Sequence, residues 1–188
     1  GRFLLGAVLP QARSIENRLK NLKEVNRVAI AGSLRRMQET IGDLDFLVTS
    51  KKPKEVTDFF IKMPEVAHVY STGTTKTMVR LKNGMDADIR IVSDTSFGAA
   101  LQYFTGDKRH NITLRAIAEK KGFKLNEYGL WRGKKLIGGK TEEEIYNNDY
   151  INVQPHRDIS KWLQAAKDIS YKEKNGDNRA NSVRQVTS

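Results

Sequence analysis

Two carboxylate pairs, each opening an apolar strand, constrain this chain more than anything else in it. Asp43-Leu44-Asp45 runs into Phe46-Leu47-Val48, and Asp86-Ala87-Asp88 runs into Ile89-Arg90-Ile91. Residues i and i+2 of a strand project from one face. Asp43 and Asp45 therefore point into the same volume while the alternate residues are apolar. Paired carboxylates repel, and keeping both ionised calls for a cation. A hard divalent ion with oxygen ligands suits them, and a third carboxylate on a neighbouring strand suits two such ions. A third feature, Gly32-Ser33, follows the apolar run Val28-Ala29-Ile30 and places a bendable turn directly after a buried strand.

Charge adds a second constraint. The 188 residues carry 33 Lys and Arg against 22 Asp and Glu, a formal net charge of +11. A basic surface attracts polyanions and gives nucleic acid a salt-dependent affinity. Acids so placed in a basic chain suggest that they serve a metal. The chain has no cysteine, which excludes disulfides, zinc-thiolate sites and a thiol nucleophile. Its three histidines, His68, His110 and His156, lie far apart and show no ligand spacing. No apolar run approaches the roughly 18–20 residues that span a bilayer, and Phe3 to Pro10 lacks the features of a signal peptide.

Periodicity predicts a helix over residues 3–24, with Pro10 near its middle. It predicts a strand at 27–31, a turn or short helix from Ser33 to Met37, a strand at 44–49 and a helix from Pro53 to Met63. Strands follow at 66–71, 75–82 and 86–92, with Asn83-Gly84 as a hairpin signal. Beyond Ser93-Asp94 come helices at 96–106 and 110–121, a hairpin at Phe123–Trp131 and Lys135–Ile137, and a capping box at Thr141–Glu144. The reading is α+β: a mixed sheet flanked by helices over residues 1–94, a small α+β domain over 95–158, and a tail at 159–188 expected to be mobile.

The ordered motifs resemble the family X DNA polymerases. Gly32-Ser33-Leu34-Arg35-Arg36 with Gly42-Asp43-Leu44-Asp45 resembles the family's nucleotidyltransferase signature, and Asp88-Ile89-Arg90 its third carboxylate. Tyr103-Phe104-Thr105-Gly106 matches its nucleotide-binding motif. His110 to Arg115, then Gly122 to Tyr128, continue the match over roughly residues 2–158. The resemblance implies a nucleotidyltransferase palm followed by a thumb. It implies that Asp43, Asp45 and Asp88 are catalytic and hold two Mg²⁺ ions, with Mn²⁺ a possible substitute. Asp88 would stand at the primer 3′ oxygen. Gly32, Ser33, Arg36 and Gly42 would meet the triphosphate. Tyr103, Phe104 and Gly106 would lie against the sugar, and Asn111 against the base or sugar. Arg115 would contact the template strand, with Lys108 and Arg109 adding phosphate attraction.

Some positions depart from the family pattern. Met37, Ile41 and Asp107 replace the residues usual there. Asp86 shares a face with Asp88 and stays outside the proposed ligand set, while Arg35 and Arg2 read as surface arginines. The implied activity is template-directed DNA synthesis in short-gap repair by a cytoplasmic monomer, nucleoid-associated if the source is prokaryotic. Its partners would be primed or gapped DNA and a deoxynucleoside triphosphate, with no membrane. The alternatives are a nucleotidyltransferase acting on RNA ends or small acceptors, and a non-catalytic DNA-binding fragment. The chain begins without Met, and no histidine follows Ile159. Both facts fit a core expected to lack the family's helix-hairpin-helix, lyase and nuclease parts, and to extend DNA weakly when alone.

Overall fold

A computed structural model describes residues 1–146. The chain opens with a two-residue strand β1 (Phe3–Leu4), helix α1 (Leu5–Lys20), strand β2 (Val25–Ile30) and a single helical turn α2 (Gly32–Arg35). Strands β3 (Thr40–Ile41) and β4 (Asp43–Ser50) lead to helix α3 (Pro53–Ile61). Strands β5 (Val66–Thr72), β6 (Lys76–Leu81) and β7 (Asp86–Val92) then complete the main sheet. A 3₁₀ turn at Asp94–Ser96 precedes helices α4 (Phe97–Thr105) and α5 (Lys108–Lys120). Strands β8 (Lys124–Asn126), β9 (Gly129–Arg132) and β10 (Lys135–Gly138) and the short helix α6 (Glu142–Ile145) follow.

The main sheet has the order β2-β4-β7-β6-β5. Only β4 and β7 run parallel; the other pairs are antiparallel. Alternation on β4 divides the molecule. Leu44, Phe46 and Val48 face a core formed with Ala12, Ile15 and Leu19 of α1 and Val56 and Phe60 of α3. The odd residues face the other way. There Leu47 packs under Phe97, Ala100 and Leu101 of α4, while Asp43 and Asp45 stand at the uncovered end of the same strand. A third cluster joins Ala99 of α4, Leu114 and Ala118 of α5, Phe123, Leu125, Leu130 and Ile145. Helix α4 thus contributes to both the sheet packing and the smaller cluster. Its close approach to α6 needs Gly98, where a Cβ would lie 2.1 Å from the Thr141 carbonyl carbon.

The mixed sheet with flanking helices is the architecture expected from the sequence, with local differences. The helix expected over 3–24 is shorter: Phe3 and Leu4 pair with Ile41 and Thr40 instead. Neither partner is signalled by periodicity, because two-residue strands are too short to show it. Pro10 sits within α1 and does not end it. It is the sixth helical residue, so the backbone group that its ring displaces lies in the first turns. Strand β2 starts two residues earlier than expected. Helix α5 starts at Lys108, because the Asp107 carboxylate accepts the His110 N–H at 3.0 Å and caps it. The capping-box expectation is met at Thr141, whose hydroxyl accepts the Glu144 N–H. The tail expected at 159–188, and the end of the second domain at 147–158, lie outside the described residues.

Candidate active site

The parallel pairing of β4 and β7 brings the two carboxylate motifs level. Asp43 is opposite Asp86, and Asp45 is opposite Asp88. Asp43 is exposed, Asp45 is partly covered and Asp88 is 8% exposed. Burial, followed by the charges of Asp43 and Asp88, pushes the Asp45 carboxyl up to about 7. Burial, with Asp88 and Asp86 beside it, also raises the Asp43 carboxyl, while Arg2 acts against the shift. The neighbouring acidic charges make Asp43 and Asp45 costly to ionise, which marks a site short of positive charge.

Part of that charge comes from the protein. Lys76 of β6 places its ammonium 3.1 Å from Asp88, and Arg90 and Lys76 both favour ionised Asp45. Arg90 also stacks its guanidinium 4.1 Å from the centroid of the Phe104 ring. Neither cation was assigned a role from the sequence. The signal was present for Arg90, which shares a strand face with Asp88, but Lys76 comes from a strand joined only by sheet pairing. Among the described residues, no three acidic, histidine or cysteine side chains already close around one ion position. The donor set nevertheless fits hard divalent cations: it consists of carboxylate oxygens, and Asp45 is held far from its ordinary ionisation by burial and then by the charges of Asp43 and Asp88.

The Gly32 turn is built against this acidic edge. The Ala31 N–H donates to the Asp45 carbonyl at 2.8 Å, which fixes the turn to β4. Gly32 has φ +63°, and a Cβ there would lie 2.0 Å from Asp45 Oδ2. Only glycine leaves the Asp45 carboxylate its position. Ser33 follows, partly covered, at the start of α2. Gly42 lies beside Arg2, whose guanidinium donates to the Thr40 hydroxyl and carbonyl at 2.8 and 2.7 Å. A Cβ on Gly42 would come within 3.2 Å of that guanidinium. The Arg36 guanidinium donates to the Thr105 carbonyl and borders Gly106. Arg36 and Gly106, distant in sequence, therefore meet.

Tyr103 and Phe104 close the other side. Their rings meet edge to face with centroids 5.0 Å apart. The Arg115 guanidinium lies 5.8 Å from the centroid of the Tyr103 ring. Arg90 and Arg115 thus flank the Phe104–Tyr103 ring pair between β7 and α5. Asn111 is 9% exposed: its amide donates to the Tyr103 carbonyl and accepts from Gln102, both at 2.7 Å. It braces the junction of α4 and α5. Lys108 and Arg109 are exposed at the start of α5.

Residues 8–96 match the family model of the DNA polymerase beta palm, and residues 100–148 match that of the DNA polymerase beta thumb. Over 128 residues the chain is 30% identical to Repair DNA polymerase X of African swine fever virus, covering 64% of this chain and 73% of the viral protein. The chain belongs to the family X DNA polymerases. Over 131 residues it is 37% identical to the DNA polymerase/3'-5' exonuclease PolX of Bacillus subtilis, covering 69% of this chain and 23% of that protein. It is 28% identical over 117 residues to DNA polymerase lambda of Rattus norvegicus, covering 20% of the latter. The chain thus spans about a quarter of the bacterial relative's length and a fifth of the rat one's.

One residue of this family X chain departs from its sequence reading, and a second gains partners that the sequence did not show. Arg35 is 5% exposed and is no surface arginine. Its guanidinium donates to both Glu142 carboxylate oxygens, at 2.6 and 2.9 Å, and to the Thr105 hydroxyl at 2.8 Å. Asp86 shares the Asp88 face, as expected, but its carboxylate is engaged by Arg80 and Tyr70. A cavity of about 850 Å³ lined by Lys23, Thr49, Lys51, Lys52 and Asp94 lies at the far end of β4, away from the carboxylates. No helix among the described residues is long and apolar enough to cross a membrane.

Proposed function

We propose that this chain is the catalytic core of a template-directed DNA polymerase. It joins a deoxynucleoside triphosphate to a primer 3′ hydroxyl at short gaps, with residues 1–94 as palm and 95–158 as thumb. The observation that carries the reading is the level placement of Asp43, Asp45 and Asp88 on parallel strands against the Gly32 turn. The family membership supplies the reaction class. Two divalent ions bound by these carboxylates would neutralise their charge and that of the triphosphate, and would acidify the attacking hydroxyl.

The remaining work belongs to the chain. Gly32 opens the turn so that the Ser33 N–H and hydroxyl can meet a phosphate. Arg36 adds charge-assisted donors, and Gly42 lets its backbone approach the same group. Tyr103 and Phe104 offer an apolar floor to the deoxyribose, and Gly106 brings backbone against its 2′ position. Asn111 holds Tyr103 in place. Arg115, Lys108 and Arg109 present positive charge to the template strand.

Extension of a primer across a one-nucleotide gap, with each deoxynucleotide supplied separately and Mg²⁺ or Mn²⁺ present, tests the reading. Incorporation should follow the template base. Asp88→Ala should abolish incorporation, by about a thousandfold or more, and leave DNA affinity close to that of the wild type. Template-independent addition, or incorporation retained without Asp88, would overturn the assignment.

A further inference from the structure

Asp86 and its two partners have no part in the chemistry described so far. Asp86 stands two residues before Asp88 on β7, about 7 Å along the strand and on the same face. Its cross-strand neighbour is Arg80, as Met78 is for Asp88. Arg80 Nε donates to Asp86 Oδ1 at 2.9 Å and Arg80 Nη2 to Oδ2 at 3.3 Å. The Tyr70 hydroxyl donates to Oδ1 at 3.2 Å, and the Arg80 guanidinium lies 5.7 Å from the centroid of the Tyr70 ring. The Asp86 carboxylate takes Nε and one N–H of Nη2, so the Nη1 edge of the Arg80 fork is turned away from it. Side-chain exposures of 47% for Arg80 and 38% for Asp86 place the cluster at the surface.

A bidentate carboxylate on one edge of a guanidinium fixes its plane and leaves the other edge of the fork outward. That geometry suits a phosphate, which takes parallel N–H donors. Asp86 is the cross-strand partner of Asp43 in the β4–β7 pairing, so the cluster borders the carboxylate site. We propose that Arg80, aimed by Asp86 and Tyr70, binds a backbone phosphate of the primer strand close to its 3′ end. The inference rests on the reading of Asp88 as the group beside the primer 3′ oxygen. The next position along β7 then faces the primer's last linkages.

The test is a linkage scan with the full chain. Primed templates are made with one uncharged methylphosphonate at each of the last four primer linkages in turn. Binding is measured by fluorescence anisotropy. One linkage should weaken wild-type binding about fivefold or more, and Arg80→Ala should bind all the substrates equally at that weakened level. Arg80→Lys, which keeps the charge but not the fork, should restore part of the sensitivity at that same linkage. Asp86→Asn leaves Arg80 without its anchor and should reduce the effect of that linkage; an unchanged effect would remove Asp86 from the positioning role. The same loss at every linkage in wild type and Arg80→Ala would overturn the proposal and leave the cluster as a cross-strand tie. Wild-type incorporation is measured in parallel. Its absence bears on the catalytic reading alone, because the linkage scan reads binding.

Discussion

At the residue scale, Asp45 and Gly32 determine each other. The glycine has φ +63°, and its Cα lies where any side chain would collide with Asp45 Oδ2. Alanine at position 32 would carry the left-handed backbone cost of about 1–2 kcal/mol and would force the carboxylate to turn away. Misplacement of about 1 Å in such a site costs on the order of a hundredfold in rate. Gly32→Ala should therefore lose about that much incorporation while thermal stability falls only modestly, as single-turnover kinetics and a melting curve will show. Asp45 also sets a pH dependence. Its carboxyl is raised to about 7 by burial and by Asp43 and Asp88, so between about pH 4 and 7 the folded state holds a proton that the unfolded state has released. Folding stability from this group is then greatest below about pH 4 and declines as pH rises through 7. In chelator, the melting temperature should fall over that interval more steeply for wild type than for Asp45→Asn. Mg²⁺ should raise the wild-type value more at pH 8 than at pH 5. An equal Mg²⁺ effect at both would contradict the proposed ligand role.

At the element scale, the buried pair between α2 and α6 ties the phosphate turn to the last described helix. Arg35 and Glu142 have side-chain exposures of 6% and 4%, and are joined by two hydrogen bonds. Removing one partner leaves a buried charge unmet, which costs about 3–5 kcal/mol. Arg35→Ala and Glu142→Ala should each lose stability of that order in urea melts, whereas the apolar double replacement Arg35→Met with Glu142→Leu should lose much less. Nothing local announces this pair. Arg35 and Arg36 are chemically alike and adjacent, and only the distant positions of Glu142 and Thr105 decide which one is buried. Strand parity, by contrast, is a local property. The alternation on β4 and β7 already separates Phe46 and Ile89 from Asp43, Asp45 and Asp88, and the parallel register then makes the carboxylates level. The main sheet and its acidic edge were therefore legible. The β1–β3 pairing, the Lys76–Asp88 contact and the Arg80–Asp86–Tyr70 cluster depend on which strands become neighbours, and periodicity within one strand carries no trace of that.

At the scale of the whole molecule, the charge excess is unevenly committed. Among the described cations, Arg13, Arg18, Arg27, Arg35, Lys54, Lys76, Arg80 and Lys140 meet acids directly. Lys108, Arg109 and Arg115 on α5 make no ion pair among the described residues, and all three are exposed. Arg115 is turned toward Tyr103, so this helix presents its cations beside the aromatic side of the site. If α5 follows the template backbone, each cation displaces about 0.9 of a counterion for each phosphate that it meets. Replacing all three by alanine should then lower the slope of log affinity against log salt by close to 3. In the Lys108→Ala, Arg109→Ala double variant, which leaves Arg115 against Tyr103, the KM for the deoxynucleotide should stay near the wild-type value. Helix α5 should survive the change, since its Asp107 cap and its buried Leu114 and Ala118 are untouched. A slope unchanged in the triple variant, measured by anisotropy from low to moderate salt, would make the three cations solvated charges. The DNA path would then have to cross a different part of the basic surface.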